Sequence, residues 1–94
     1  MAQLVIEEPH ALAAAEAKSR LSSLEDHMRK YLVKAQWEGL RATLDGAGVS
    51  GAIEVSGSDV VITIKLGLLA MAAGVDPPRL EKTIRRRIRE AFDA

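Results

Sequence analysis

Two alternating segments in the second half of the chain constrain the fold more than any other feature. In residues 49–55, VSGAIEV, small and apolar positions alternate with more polar ones, and residues 60–66, VVITIKL, do the same with many β-branched side chains. The four residues between them include Gly57, which is placed for the positive φ of a tight turn. The pattern predicts a β-hairpin with one face turned towards a hydrophobic core.

Further strands and a helix are predicted before this hairpin. Residues 3–7 and 36–44 each predict one strand, the second with an irregularity at Gly39. Residues 13–33 predict a helix, because their apolar positions fall within an arc of about 100° on a helical wheel. Those positions are Ala14, Ala17, Leu21, Leu24, Met28, Tyr31 and Leu32.

The closing helix has the clearest signals for where it starts and which face it buries. Asp76 is a good N-cap residue, and Pro77 stands at the first helical position, where a missing N–H costs nothing. From there an apolar residue recurs every fourth position, which predicts one buried stripe. The stripe consists of Leu80, Ile84, Ile88 and Phe92.

Together these elements predict an α+β fold in the order β-α-β-β-β-α. We expect two layers, with an antiparallel sheet and both helices on one of its faces. Residues 1–94 are expected to form a single domain, because two smaller pieces would each be too short to bury a core.

The sequence points away from catalysis and from metal or cofactor binding. It has no cysteine, and His10 and His27 lie in different predicted elements without metal-ligand spacing. The segment GAGVSG (46–51) matches the dinucleotide-binding pattern G-x-G-x-x-G, but it precedes a strand instead of a helix and is predicted to be a hairpin loop. We therefore expect a non-enzyme with neither cofactor nor metal.

The beginning of the chain predicts where the protein resides. Residues 1–10, MAQLVIEEPH, lack the basic and apolar regions of a secretory signal. The longest uncharged run, Leu66–Val75, has half of the roughly 20 residues that a membrane-spanning helix needs. We expect a cytoplasmic protein without a transmembrane segment.

Residues 67–74, GLLAMAAG, follow neither the strand nor the helix period and admit two interpretations. The favoured one is a buried bend or a single helical turn over the sheet edge, with Leu68, Leu69 and Met71 entering the core. The other is a partly exposed apolar patch that contacts a partner, because contiguous exposed apolar area usually marks an interaction site. Burial is favoured for a monomer, since full exposure would forgo about 1.5–3 kcal/mol per side chain.

The closing helix also has a continuous arc of cations. Six cations and two acids occupy residues 79–90, although the net charge of the chain is +0. The arc is either the solvated face of an amphipathic helix or a contact for an anionic partner. Neutral net charge and only three aromatic residues argue against nucleic acid. The arc consists of Arg79, Lys82, Arg85, Arg86 and Arg89.

Several segments taken together resemble the polyhydroxyalkanoic acid system family of small bacterial proteins. The resemblance implies an association with bacterial storage polyester, at the granule or with its other proteins, and no enzymatic mechanism. The chain departs from the expected pattern at 70–78, AMAAGVDPP, where a shorter and more polar connection is expected. The segments are IEEPHAL (6–12), WEG (37–39), GVSGAIEV (48–55), VVITIKLGLL (60–69) and LEKTIRRRIREAF (80–92).

These observations favour a non-catalytic accessory protein of the polyhydroxyalkanoate system. It is expected to bind the granule surface or a granule-associated protein, through residues 67–74 and the cations of the last helix. One alternative is a small regulator that binds nucleic acid or another anion through the same cations. Another is a structural homodimer in which residues 67–74 close on a second copy.

Overall fold

The computed structural model describes residues 2–30, 32–46 and 48–93. These residues form a five-stranded sheet and four helices. The elements are β1 (Ala2–Pro9), α1 (Ala14–Arg20), α2 (Ser22–Arg29), β2 (Val33–Glu38), β3 (Arg41–Gly46), β4 (Val49–Val55), β5 (Asp59–Leu66), α3 (Leu68–Ala72) and α4 (Pro77–Asp93).

The sheet is antiparallel throughout, with the strand order β1-β5-β4-β3-β2. Strands β2 to β5 follow one another as hairpins, whereas β1 pairs with β5 at the far edge. The pair α1–α2 therefore connects the two opposite edges of the sheet, and it packs with α4 on one face. The predicted α+β class with an antiparallel sheet under the helices is confirmed.

The segment predicted as one strand, 36–44, is in fact part of a hairpin of two strands. Strand β2 begins at Val33, and the chain turns at Gly39 and Leu40 before β3 begins at Arg41. Gly39 has a φ of 64°, a conformation that glycine adopts without the clash a Cβ would cause. The sheet therefore has five strands instead of the four predicted.

The predicted helix over 13–33 consists of two shorter helices and ends earlier. The chain breaks at Leu21, whose side chain is fully buried, and α2 ends at Arg29. Leu32 was predicted to face the core, but its φ is 63° and its side chain is 73% exposed. Tyr31, placed in the same apolar arc, lies outside the described residues.

The core lies between the inner face of the sheet and the helices. On β5 every second residue from Val60 to Leu66 is buried, as the alternation predicts, whereas on β4 Ile53 and Val55 are buried and the inward positions in the first half of the strand are half-buried. Helix α4, which packs closest to β1, adds Ile84 and Ile88 to the same core, while Leu80 and Phe92 pack at the two ends of its stripe. Burying such side chains contributes about 1.5–3 kcal/mol each.

The two central hairpins turn by different means. In the β3–β4 hairpin Gly46 pairs with Val49 and Gly48 has a φ of 72°, so the glycine-rich segment is a hairpin loop, as predicted; its Ala47 lies outside the described residues. The β4–β5 turn does not use Gly57 at positive φ, and that prediction was wrong. There the Ser56 hydroxyl accepts the Asp59 N–H at 3.0 Å and donates to the Asp59 carboxylate at 2.8 Å.

Candidate interaction site

The apolar segment after β5 forms the short helix α3, and its large side chains point outward. Leu68 is 76% exposed, Leu69 64% and Met71 38%, whereas the small Ala70 between them is buried. A helical turn was predicted here, but the favoured prediction that these three side chains enter the core was wrong. We call Leu68, Leu69 and Met71 the α3 tip.

Close backbone packing explains why α3 presents only a small residue to the protein. The Gly67 N–H donates to the Gly48 carbonyl oxygen at 2.8 Å, which holds the start of α3 against the β3–β4 turn. A Cβ on Gly48 would lie only 2.8 Å from the Ala70 nitrogen. At this separation the space between α3 and the β3–β4 turn holds the methyl group of Ala70 but not a leucine side chain.

A further exposed leucine lies at the same end of the sheet. Val33, Gly46, Val49 and Leu66 are paired in one continuous row across the strands, and Leu32 immediately precedes that row on β2. Leu32 precedes one end of this row and α3 follows the other, so both lie at the same end of the strands. The sequence had assigned Leu32 to a buried helical stripe and missed its exposure.

We call the five predicted cations the α4 cation row, and two of them contact a buried carboxylate. Glu8, at the end of β1, is only 4% exposed. Its Oε1 lies 3.2 Å from Arg85 Nη1 and 3.2 Å from Arg89 Nη2. Arg85 also donates to the Glu7 carbonyl oxygen at 3.1 Å and lies 3.6 Å from Glu81.

The other three members of the α4 cation row remain at the surface. Arg79 and Lys82 are exposed, and Arg86 forms only a long, exposed contact of 3.9 Å with Glu90. Exposed ion pairs of this kind contribute little to stability. The row is therefore divided into two arginines with a structural partner and three cations available to an external one.

The sequence contains an indication that Glu8 faces the core. Leu4, Ile6 and Glu8 alternate, so a strand extended by one residue past Glu7 would have placed an acid at a buried position. Prediction had ended the strand at residue 7. A buried acid requires a cationic partner, and α4 is rich in cations.

Three positive side chains of α4 and the end of α2 act on the charge of His27. Burial, together with the nearby charges of Arg87, Lys30 and Arg86, lowers the pKa of His27 below its ordinary value of 6.5. Arg87, on α4, is half-buried. Its Nε is buried and has no hydrogen-bond partner among the described residues.

The other histidine joins three parts of the chain. His10 Nδ1 accepts the Leu12 N–H at 3.0 Å, and its Nε2 lies 2.9 Å from the Ser56 carbonyl oxygen. An amide N–H only donates and a carbonyl only accepts, so the ring proton that serves these bonds is on Nε2. The ring also packs on Phe92 with centroids 5.2 Å apart. This arrangement gives His10 a role in orienting the turn into α1.

Neither a metal-ligand cluster nor a membrane-spanning helix occurs in the part of the chain that the structure describes. Within 2–30, 32–46 and 48–93, no three His, Asp or Glu side chains are grouped so that they could hold a metal ion. None of the helices in those ranges combines the length and hydropathy needed to cross a bilayer.

A family model covers nearly the whole chain. Residues 4–93 match the model of the family described as "Putative polyhydroxyalkanoic acid system protein". No curated protein matches the chain. The matched span contains both the α3 tip and the α4 cation row.

Proposed function

This chain belongs to the polyhydroxyalkanoic acid system family, and we propose that it is a non-catalytic accessory protein that attaches to cytoplasmic storage granules through the α3 tip. The observation that supports this proposal most is the exposure of the two adjacent leucines Leu68 and Leu69, at 76% and 64%. The family connects the chain with the polyester, and the α3 tip offers a surface of matching chemistry.

The physical argument rests on the cost of leaving apolar side chains in water. A polyester surface is apolar apart from its ester carbonyls, so it can remove leucine side chains from water without requiring charged partners. Each fully covered leucine would contribute about 1.5–3 kcal/mol. Two leucines with Met71 would give weak, reversible attachment, which Leu32 strengthens if the whole end of the sheet lies on the surface.

The α4 cation row offers a weaker basis for attachment. Arg85 and Arg89 already satisfy Glu8, and their withdrawal would leave a buried carboxylate without partners. Arg79, Lys82 and Arg86 are left for an acidic coat protein or another anion. Attachment through them would weaken with salt, whereas apolar attachment would not.

Co-sedimentation with clean polyhydroxybutyrate particles, at low and high salt, tests the proposal. We expect the wild-type protein to pellet with the particles at both salt concentrations and Leu68→Ser/Leu69→Ser to remain in the supernatant. Leu40→Ser is the matched control, because Leu40 is 41% exposed but lies in the β2–β3 turn at the opposite end of the sheet. It should pellet like the wild type.

Two results would overturn attachment through the α3 tip. Wild-type protein that stays in the supernatant at both salt concentrations has no affinity for the polymer itself. Pelleting that persists in Leu68→Ser/Leu69→Ser but disappears at high salt would move the contact to the cations. In that case Arg79→Glu/Lys82→Glu should abolish it.

A further inference from the structure

The sheet has an outer face that no described element covers, and its side chains form three rows across the strands. The rows follow from the strand register, in which the residues of a row are direct neighbours. In the order β1-β5-β4-β3-β2, the basic row is Gln3, Lys65, Ser50, Asp45, Lys34; the neutral row is Val5, Thr63, Ala52, Thr43, Gln36; and the acidic row is Glu7, Val61, Glu54, Arg41, Glu38.

Charge is distributed unevenly over these three rows. The basic row has two lysines and one aspartate, the acidic row has three glutamates and one arginine, and the neutral row between them has no charge. Val5 in the neutral row is 51% exposed. An uncharged centre with a charged border is the usual anatomy of a protein–protein interface.

We propose that the outer face binds the outer face of a second copy of this chain. In this homodimer the two sheets pack face to face, about 10 Å apart, around a two-fold axis that runs along the neutral row. This axis places each strand over its own counterpart and exchanges the basic row with the acidic row. Asp45 then faces Arg41 of the other copy, and Lys34 faces its Glu38.

The charge pattern selects this orientation over the other face-to-face arrangement. A two-fold axis parallel to the strands would stack each row on itself, with Glu54 over its own counterpart and Glu7 over Glu38. Lys65 would lie over Asp45 in that arrangement, but the facing glutamates cost free energy that the proposed orientation avoids. In the proposed orientation Lys65 instead lies over Val61, between Glu7 and Glu54.

The size of the face predicts a weak dimer. Five strands and three rows span roughly 20–25 Å in each direction, so about 500 Å² of each copy would be covered. The total of about 1,000 Å² lies at the lower end for specific interfaces, which is consistent with a dimer that dissociates at micromolar concentration. Because the axis reverses the strand direction, the two α3 tips would lie at opposite ends of the dimer.

Sedimentation equilibrium over a concentration series in low salt tests the proposal without any polymer. We expect wild-type protein to dimerise, Arg41→Glu to raise the dissociation constant at least tenfold, and Arg41→Glu/Asp45→Arg to restore it. Within one chain, Arg41 lies 3.7 Å from Glu54, and Asp45 is paired with Lys34 in the strand register. The double variant worsens both neighbourhoods, so its recovery can come only from contact between copies.

A second variant and a control keep the result independent of folding. Thr43 lies on the proposed axis, so Thr43→Lys should place two like charges face to face and block the dimer. Because Thr43 is exposed in the monomer, the substitution should not disturb the fold of a single copy. Arg86→Glu makes the same charge change as Arg41→Glu but on α4, next to Glu90, and should dimerise like the wild type. Circular dichroism confirms that each variant is folded.

Three results would overturn the proposal. The first is a wild-type protein that remains monomeric over the whole concentration series. The second is a dimer that Thr43→Lys leaves unchanged. The third is a dimer that Leu68→Ser/Leu69→Ser abolishes while Arg41→Glu does not, which would assign the contact to the α3 tip.

Discussion

Glu8 and Arg85 are separated by 77 residues in the chain, yet Arg85 Nη1 donates to Glu8 Oε1 at 3.2 Å. The glutamate lies at the end of an edge strand, and the arginine lies in the middle of α4. Strand β1 has one strand neighbour in the described sheet, β5, so this contact and that of Arg89 add a second attachment for its end. The pair therefore connects the start of the fold to its last helix.

We predict that Arg85→Ala destabilises the protein by about 1.5–3 kcal/mol, because a buried carboxylate would lose its less exposed donor, whose side chain is 31% exposed. Arg89→Ala should cost less, since the Arg89 side chain is 65% exposed and its contact is better screened. Urea unfolding followed by fluorescence of Trp37, the single tryptophan, measures both.

Arg86→Ala is the matched control for this comparison. Arg86 has the same charge on the same helix, but its side chain is 66% exposed and its contact with Glu90 is 3.9 Å long. Its free energy of unfolding should stay within about 0.5 kcal/mol of the wild type. Equal losses in Arg85→Ala and Arg86→Ala would contradict a structural role for the Glu8 contact.

Gly51 is predicted to be the glycine at which alanine is least tolerated in the sheet. A Cβ there would lie 2.0 Å from the Thr63 carbonyl oxygen, a clash with backbone that only movement of β5 could relieve. We expect Gly51→Ala to cost at least 1–3 kcal/mol. Gly57→Ala is the control, because a Cβ at Gly57 meets nothing within 4 Å, and thermal unfolding of both should separate them clearly. A Gly51→Ala protein as stable as Gly57→Ala would show that the strands are not in this close contact.

The α3 tip is predicted to matter little for stability. Leu68→Ser/Leu69→Ser should change the free energy of unfolding by less than about 1 kcal/mol, as surface substitutions usually do. Leu66, two residues earlier, is 1% exposed, and Leu66→Ser should cost several kcal/mol because a buried side chain is replaced by a polar one. Similar losses of stability in both variants would mean that the side chains of the α3 tip are buried in the core.

The elements with strong local signals could be predicted from the sequence. The alternation of β4 and β5 decides which side of each strand is buried, and the four-residue spacing of α4 decides which stripe meets it. Pro77 at the first position of α4 was also predicted correctly. In these cases the periodicity within one segment contains the information, so no knowledge of other segments is needed.

The parts that were missed depend on contacts between distant segments. The outward direction of Leu68 follows from how closely Gly48 approaches α3, and neither residue signals this alone. The same holds for Glu8, whose arginine partners lie more than 70 residues away. The sequence marked Gly39 as an irregularity within one strand. That the chain reverses there to form a hairpin depends on the position of β2 at the edge of the sheet.

The lowered pKa of His27 predicts a dependence of stability on pH. In the unfolded chain the imidazole binds a proton near its ordinary value of 6.5, whereas in the folded protein burial and the charges of Arg87, Lys30 and Arg86 oppose protonation. When pH falls below 6.5, protons therefore bind the unfolded chain preferentially. The stability contributed by a neutral His27 is present in full above 6.5 and is lost as pH falls towards the folded pKa.

Comparison of the wild type with His27→Gln over about pH 5.5 to 7.5 measures this contribution. Glutamine keeps a polar side chain of similar reach but does not titrate, so the His27→Gln protein should lose less stability on acidification than the wild type does. Other titrating groups act equally in both proteins and cancel in the difference between their unfolding free energies. If the two pH profiles run parallel, the folded protein does not oppose protonation of His27. A difference that grows as pH falls would show that burial and the positive charges around His27 together oppose it.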